Sequence, residues 1–194
     1  MIDLIIQQIN TTDLGSMTGI FTRMGGIVRT QKETVVNEVK TYPVDRDTGS
    51  IVCQGGDYID FVPNSNEIGM LWWETISSSP ANEKNKGVFQ HSDRVRLIAW
   101  VNQQRLEPES METLAGNVKK SIEFKQADLT FLKGIYVKYE NYERTPDVFS
   151  KYSFKEEVSQ FLMYPYNWFS MNFTIRYTFL QTCVPSITTK DAVC

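Results

Sequence analysis

The residues that could do chemistry are few and scattered. His91 is the only histidine, and it precedes Ser92-Asp93, so the three residue types of nucleophilic acyl transfer occur side by side. That reaction needs hydroxyl, imidazole and carboxylate brought together in space, and no GxSxG elbow or second histidine supports such an assembly. His91 reads as an exposed loop histidine ahead of a strand. Cys53, Cys183 and Cys194 are odd in number and far apart, with no CxxC, which suggests neither a zinc site nor a disulfide framework. No base stands near any of them, so they read as structural thiols. Gly25-Gly26 and Gly55-Gly56 match neither GxGxxG nor the phosphate-binding loop and read as turns or bulges. Glu107, Glu109, Glu112 and Asp128 could in principle gather around a divalent cation. Acids so spaced are explained more simply by a helix N-terminus, which each stabilises by ~0.3–1 kcal/mol. No catalytic residue, metal site or cofactor is assigned. The local basic concentration, Arg94, Arg96 and Arg105 with Lys119 and Lys120, reads as a solvated face; contact with DNA phosphate or an acidic partner is the sharper alternative.

The bulk properties narrow the classes further. A chain of 194 residues is expected to form one domain, 1–194, and to bury roughly 70% of its unfolded surface. Twenty basic against 23 acidic residues give a net charge of −3, which argues against a dedicated nucleic-acid binder. The first residues, Met1-Ile2-Asp3-Leu4-Ile5-Ile6, lack the basic region of a signal peptide, and no apolar run approaches the ~18 residues of a membrane span. The expectation is a soluble chain made in a reducing cytoplasm, with no membrane partner.

The elements that would position these residues are clearest from Ser153 to Thr182. Ser153 and Glu156 have the spacing of a capping box, and Phe154, Val158, Phe161 and Leu162 give an apolar helical stripe. Tyr164-Pro165-Tyr166-Asn167 stops that helix. Phe169, Met171, Phe173, Ile175, Tyr177 and Phe179 then alternate with Ser170, Asn172, Thr174, Arg176 and Thr178, the period of a half-buried strand. Upstream, the spacing predicts a strand over Asp93–Val101 and an amphipathic helix on Met111, Leu114, Ala115, Val118 and Ile122, with Pro108 near its start. A third strand is predicted around Ile135–Tyr139. The first ten residues fit a helix or an edge strand. Residues 15–26 read as an arm packed on something else. Residues 27–90 read as a strand- and loop-rich excursion, with a hairpin near 34–53 turning at Asp45-Arg46-Asp47-Thr48-Gly49 and a polar loop over 77–90. Trp72 and Trp73 are adjacent in a strand, so one of them is expected to face a partner or solvent. The fold class is α+β: a mostly antiparallel or mixed sheet with two or three helices on one face, plus hairpin and loop extensions.

The run Phe161-Leu162-Met163-Tyr164-Pro165-Tyr166-Asn167-Trp168-Phe169, with the alternating strand through Phe179, resembles the closing segment of neck and tail-terminator ring proteins at the head–tail junction of tailed bacteriophages. The resemblance covers the order of elements over about residues 93–182. It implies a compact α+β subunit in a homo-oligomeric ring of about six or twelve copies, placed in the virion neck or tail. Its neighbours would be other neck, portal or tail proteins, and DNA would pass through its lumen without sequence-specific binding. Candidate interface residues are Trp72, Trp73, Tyr164, Tyr166 and Trp168, with Asp45, Arg46 and Asp47 at the hairpin. Arg94, Arg96, Lys119 and Lys120 are candidates for contact with DNA or an acidic partner. The rival expectation is a ligand-binding or enzymatic α+β domain with a pocket near the 77–90 loop. A nucleic-acid-binding accessory domain is a third, against which the net charge weighs.

Overall fold

The computed structural model describes residues 1–35, 38–46, 58–106, 110–123, 132–153 and 160–180. Its centre is the strand the alternating aromatic residues predict, although that strand starts earlier, directly after a cis Tyr164–Pro165 bond. We number the strands in chain order: β1 (Arg23–Ile27), β2 (Arg29–Val35), β3 (Glu38–Arg46), β4 (Tyr58–Asp60), β5 (Gly69–Asn85), β6 (Val88–Asn102), β7 (Leu132–Glu143) and β8 (Tyr166–Leu180). β8 pairs antiparallel with β6 from Val88↔Leu180 to Asn102↔Tyr166 without a register shift. β7 covers its other edge, and β5 and then β1 extend the sheet beyond β6, in the order β1-β5-β6-β8-β7. Among the described residues, β1 and β5 alone pair in parallel.

β6 and β7 both run antiparallel to β8, so they are parallel to each other and need a crossover. Helix α2 (Met111–Ile122) supplies it, capped by Ser110, whose hydroxyl accepts the Thr113 N–H. The result is a split βαβ unit with β8 slotted between its strands. All five predicted stripe residues of α2, from Met111 to Ile122, are buried. The first residues resolve to helix α1 (Ile2–Gln8), which widens into a π turn at Ile9–Asp13.

Period 2 sorts β5, β6 and β8 onto two cores. One face carries Val95, Leu97, Ala99 and Val101 with Phe169, Met171, Phe173 and Ile175, covered by α1 and α2 through Ile5, Ile6, Leu114 and Val118. Phe21 and Met17 close the same core, so residues 15–26 do pack against the body, their last part as β1. The opposite face carries Met70, Trp72, Ile98 and Trp100, covered by Phe61, Val148 and Phe149. A smaller sheet, in the order β2-β3-β4, adjoins β1. The fold is therefore α+β, with more strand than helix, and the main sheet is covered on both sides.

Four expectations change. Trp72 and Trp73 do lie on opposite faces, but both are fully buried, one in each core, because the second face has its own cover. β2 pairs with β3 through Val35↔Glu38, and Asp45-Arg46, expected in the turn, still belongs to β3 and pairs with Ile59 and Tyr58 of the antiparallel β4; residues 47–57, between β3 and β4, lie outside the described residues. Cys53 and the expected return strand at 51–53 lie outside the described residues. Residues 77–85 are not a loop but the outer half of β5, paired with β6 as far as Asn85↔Val88. With every side chain from Thr75 to Lys86 exposed, no apolar alternation marks that strand. Pro80 falls in a register shift between Ser79 and Asn82, where an edge strand tolerates a missing N–H. Gly87 makes the turn with φ +77, a conformation costly to any residue with a Cβ. Finally, Ser153 bonds β3: its hydroxyl accepts the Thr41 N–H and its own N–H donates to the Thr41 carbonyl. The rest of the expected capping box and helix, 154–159, lies outside the described residues, and Gln160–Leu162 forms one 3-10 turn.

Two glycines give a test of this packing. A Cβ on Gly69 would sit 2.9 Å from the Ile20 carbonyl oxygen, backbone that has no room to move. Gly69→Ala is expected to cost about 1–3 kcal/mol in urea unfolding. Gly116, in α2, meets nothing within 4 Å, so Gly116→Ala is expected to stabilise by up to about 1 kcal/mol. Equal effects of the two substitutions would contradict the packing described.

Candidate functional site

Antiparallel register brings together polar groups that the sequence keeps apart. Ser78 stands opposite Asp93 on β5 and β6, and His91 stands opposite Tyr177 on β6 and β8. Asp93, 1% exposed, accepts hydrogen bonds from Ser78 Oγ and from Tyr177 Oη at 2.9 Å, and His91 Nε2 lies 3.1 Å from its Oδ1. Burial, and then the Asp93 charge, push the Tyr177 hydroxyl well above the usual tyrosine range, so it stays a donor.

A serine, a histidine and an aspartate thus do meet, but in the wrong order for acyl transfer. Ser78 and His91 approach the same carboxylate oxygen, whereas a nucleophile needs the imidazole between itself and the acid. The arrangement stabilises a buried carboxylate and ties β5, β6 and β8 together. His91 is accordingly a partly buried strand residue and not the exposed loop histidine its neighbours suggest. Ser78 and Tyr177 were missed as its companions because their proximity comes from register, which no local spacing encodes.

The other face has a second such group. Glu74, 4% exposed, accepts from the Tyr152 hydroxyl and from Lys151 Nζ at 3.0 Å, which ties the 146–153 segment to the sheet. Burial and the adjacent Glu74 raise the Tyr152 hydroxyl above its ordinary value.

The basic residues do not form one patch. Arg94 and Arg96 lie on the face opposite α2, while Lys119 and Lys120 belong to α2 itself. Arg94 donates from Nε and Nη2 to Glu140, and Arg96 donates from Nε to Asn172. Glu140 is held below the usual glutamate range by hydrogen bonds from Thr174 and Arg94. Lys119 sits 3.6 Å from Glu123 and 4.2 Å from the centre of the Tyr139 ring. Glu112 bonds Arg144, while Glu107, Glu109 and Asp128 lie outside the described residues. Among the described residues, no three His, Cys, Asp or Glu side chains converge as metal ligands. Asp45 accepts the Gly26 N–H, and Asp47 lies outside the described residues, as do Gly55-Gly56, Cys183 and Cys194. Gly25-Gly26 falls in the register shift of β1, a bulge.

Two surface features remain. At the turn before β8, Tyr164 is 81% exposed and Met163 63%, the highest values for large apolar side chains among the described residues. Tyr166 and Trp168 turn inward instead, Tyr166 stacking on Trp100 and Trp168 packing edge-on to Phe149. The second feature is a groove of about 530 Å³ between the α1–π turn and β1, lined by Gln7, Asn10, Thr11, Thr18, Phe21 and Met24 among others. It lies at β1, away from the outer half of β5 where a pocket was expected. The Asp45 carboxylate bonds the N–H of Gly26 at its edge. Asn10 is fixed on its wall, donating to the Gly25 carbonyl and accepting from the Trp73 indole.

With the geometry set out, comparison with protein-family models and with curated proteins gives no match. No helix among the described residues is long and apolar enough to cross a membrane.

Removal of the shared acceptor in Asp93→Ala is expected to cost about 3 kcal/mol or more, and Tyr177→Phe about 1–3 kcal/mol. Because the folded values of Tyr152 and Tyr177 lie above 10, their contribution is whole below pH about 10 and is lost as pH rises further. Alkaline titration followed at 295 nm should therefore show tyrosines that ionise only as the chain unfolds, fewer in Tyr177→Phe. Smooth ionisation of all tyrosines in the folded state would contradict the two clusters.

Proposed function

We propose that this chain is a virion structural protein, one subunit of an oligomeric ring in the neck or tail-terminator region of a tailed bacteriophage. The observation that carries the reading is the exposure of Met163 and Tyr164 at a supported turn, on a body whose Trp72, Trp73, Trp100, Phe169 and Phe173 are fully buried. Met163 and Tyr164 are the most exposed of the large apolar side chains described, and such groups left side by side in water suit a contact with another chain. The reading rests also on the resemblance noted in the sequence, for whose order of elements the described residues give β6, α2, β7 and β8, with 154–159 outside them.

The mechanism is mechanical. A sheet covered on both sides, with its charges paired across the strands, makes a stiff wall segment. Repetition of one head-to-tail contact around an axis closes such segments into a ring. A net charge of −3 and arginines already engaged by Glu140 and Asn172 leave little to grip phosphate, so DNA slides past the wall and is not held by it. Adjoining rings of neck, portal or tail proteins stack on the ends of this one.

The groove at β1 supports a second reading, a small-ligand-binding domain. Light scattering behind a sizing column, across a concentration series, separates the two. The ring reading predicts a closed species of about six or twelve chains of 22.4 kDa; a strict monomer throughout the series, with saturable binding of a small neutral molecule, would replace it.

A further inference from the structure

Register gathers on one face a set of charges that the sequence scatters over three strands. Outward of the paired Glu74 and Arg96, which Lys151 and Tyr152 adjoin, the second face of the main sheet continues as rows of directly opposed residues. One row holds Arg94 and Lys138 on either side of Thr174, the next sets Arg176 against Tyr136, and the last carries Lys133. Arg94, Arg176, Lys133, Lys138 and Tyr136 are all exposed, so this end of the face is uncovered.

The rows carry four cations and, reaching in from a bulge of β7, one carboxylate. Glu140 accepts from Arg94 and Thr174, which orients the Arg94 guanidinium. No hydrogen bond or ion pair holds Arg176 among the described residues. An excess of positive charge therefore stands on one face of a chain whose net charge is −3. Such a face has a negatively charged complement.

The make-up of the face decides which complement. Contacts between proteins are built on an apolar centre, whereas contacts with nucleic acid are polar and strongly positive. Here Tyr136, 45% exposed, is the one large ring among the cations. Rows about 7 Å apart and strands about 4.8 Å apart make a flat field about 14 Å long and 10 Å wide from β6 to β7. A stiff duplex curves away from such a field. A single strand can lie along it, with phosphates on the cations and a base on an exposed ring.

We propose that this end of the second sheet face binds single-stranded nucleic acid, with Arg94, Arg176, Lys133 and Lys138 taking phosphates and Tyr136 stacking on a base. The contact reads no sequence, because every base has a face to stack. It is complete in one copy of the chain and so does not depend on the ring reading. It also leaves a duplex free to slide, since a duplex meets the field with fewer of its phosphates.

Fluorescence anisotropy of a labelled oligothymidylate over a salt series tests the proposal. The proteins are wild type, Arg176→Ala, Lys138→Ala, Tyr136→Thr, Tyr136→Phe and Lys120→Ala, the last an exposed cation of α2 on the opposite side of the sheet. Wild type is expected to bind with a log–log salt slope of about −2, some three phosphates at roughly −0.7 each. Arg176→Ala and Lys138→Ala should each make that slope shallower by about 0.7. Tyr136→Thr, which keeps a strand-forming residue, should weaken binding about tenfold with the slope unchanged, and Tyr136→Phe should bind like wild type. Lys120→Ala should change neither quantity. Thermal melting of each variant separates lost binding from lost fold. Absence of binding at the lowest salt, an equal loss in Lys120→Ala, or a blunt duplex or polyglutamate peptide bound as tightly as the single strand would overturn the proposal. None of these outcomes bears on the oligomeric state, so the ring reading stands or falls separately.

Discussion

The uninterrupted pairing of β6 with β8 is the constraint on which the rest of the structure depends. It runs from Val88↔Leu180 to Asn102↔Tyr166 without a bulge, so every residue of both strands has an assigned face. A slip of one residue would exchange Phe169, Met171, Phe173 and Ile175 with Ser170, Asn172 and Thr174 and empty one core into the other. The irregularities of the sheet are confined to its flanks, in β1–β5, β5–β6 and β7–β8. The split βαβ connection follows from the same pairing, since β8 can lie between β6 and β7 only if α2 carries the chain across it.

Register also accounts for the buried charges. Asp93 and Glu74 are carboxylates in positions where an unpartnered charge would not be tolerated. Each is surrounded by polar partners: Ser78 and Tyr177 from the neighbouring strands and His91 from β6 itself for the first, Tyr152 and Lys151 for the second. A triad of catalytic residue types arises at Asp93 as a by-product of that requirement. The order of its hydrogen bonds, with both Ser78 and His91 on one oxygen, is what separates a structural cluster from a nucleophile.

The elements with strong one-dimensional signals were legible in the sequence. The stripe from Met111 to Ile122 and the alternation from Phe169 to Phe179 each bury one continuous face, and such periodicity survives without knowledge of neighbours. What was not legible came from pairing between distant segments. Residues 77–85 look like a loop because an edge strand wet on both faces needs no apolar pattern. Ser153 carries a bond that no local spacing announces, its hydroxyl accepting from Thr41 on β3, more than a hundred residues away. The cover of the second core, Phe61 with Val148 and Phe149, comes from two widely separated short segments, and without it Trp72 looked free. Tyr164, Tyr166 and Trp168 look alike in the sequence; that Tyr164 stands in water while the other two turn inward depends on Trp100 and Phe149.

A sheet covered on both sides that leaves Met163 and Tyr164 exposed at one turn is the unit that the proposed ring would repeat around an axis. Negative-stain electron microscopy of the purified chain tests that claim most directly. The account predicts class averages of closed rings of uniform diameter with an open, stain-filled centre wide enough for a DNA duplex. Dispersed particles of single-chain size at every concentration, or open filaments with no closed species, would contradict it.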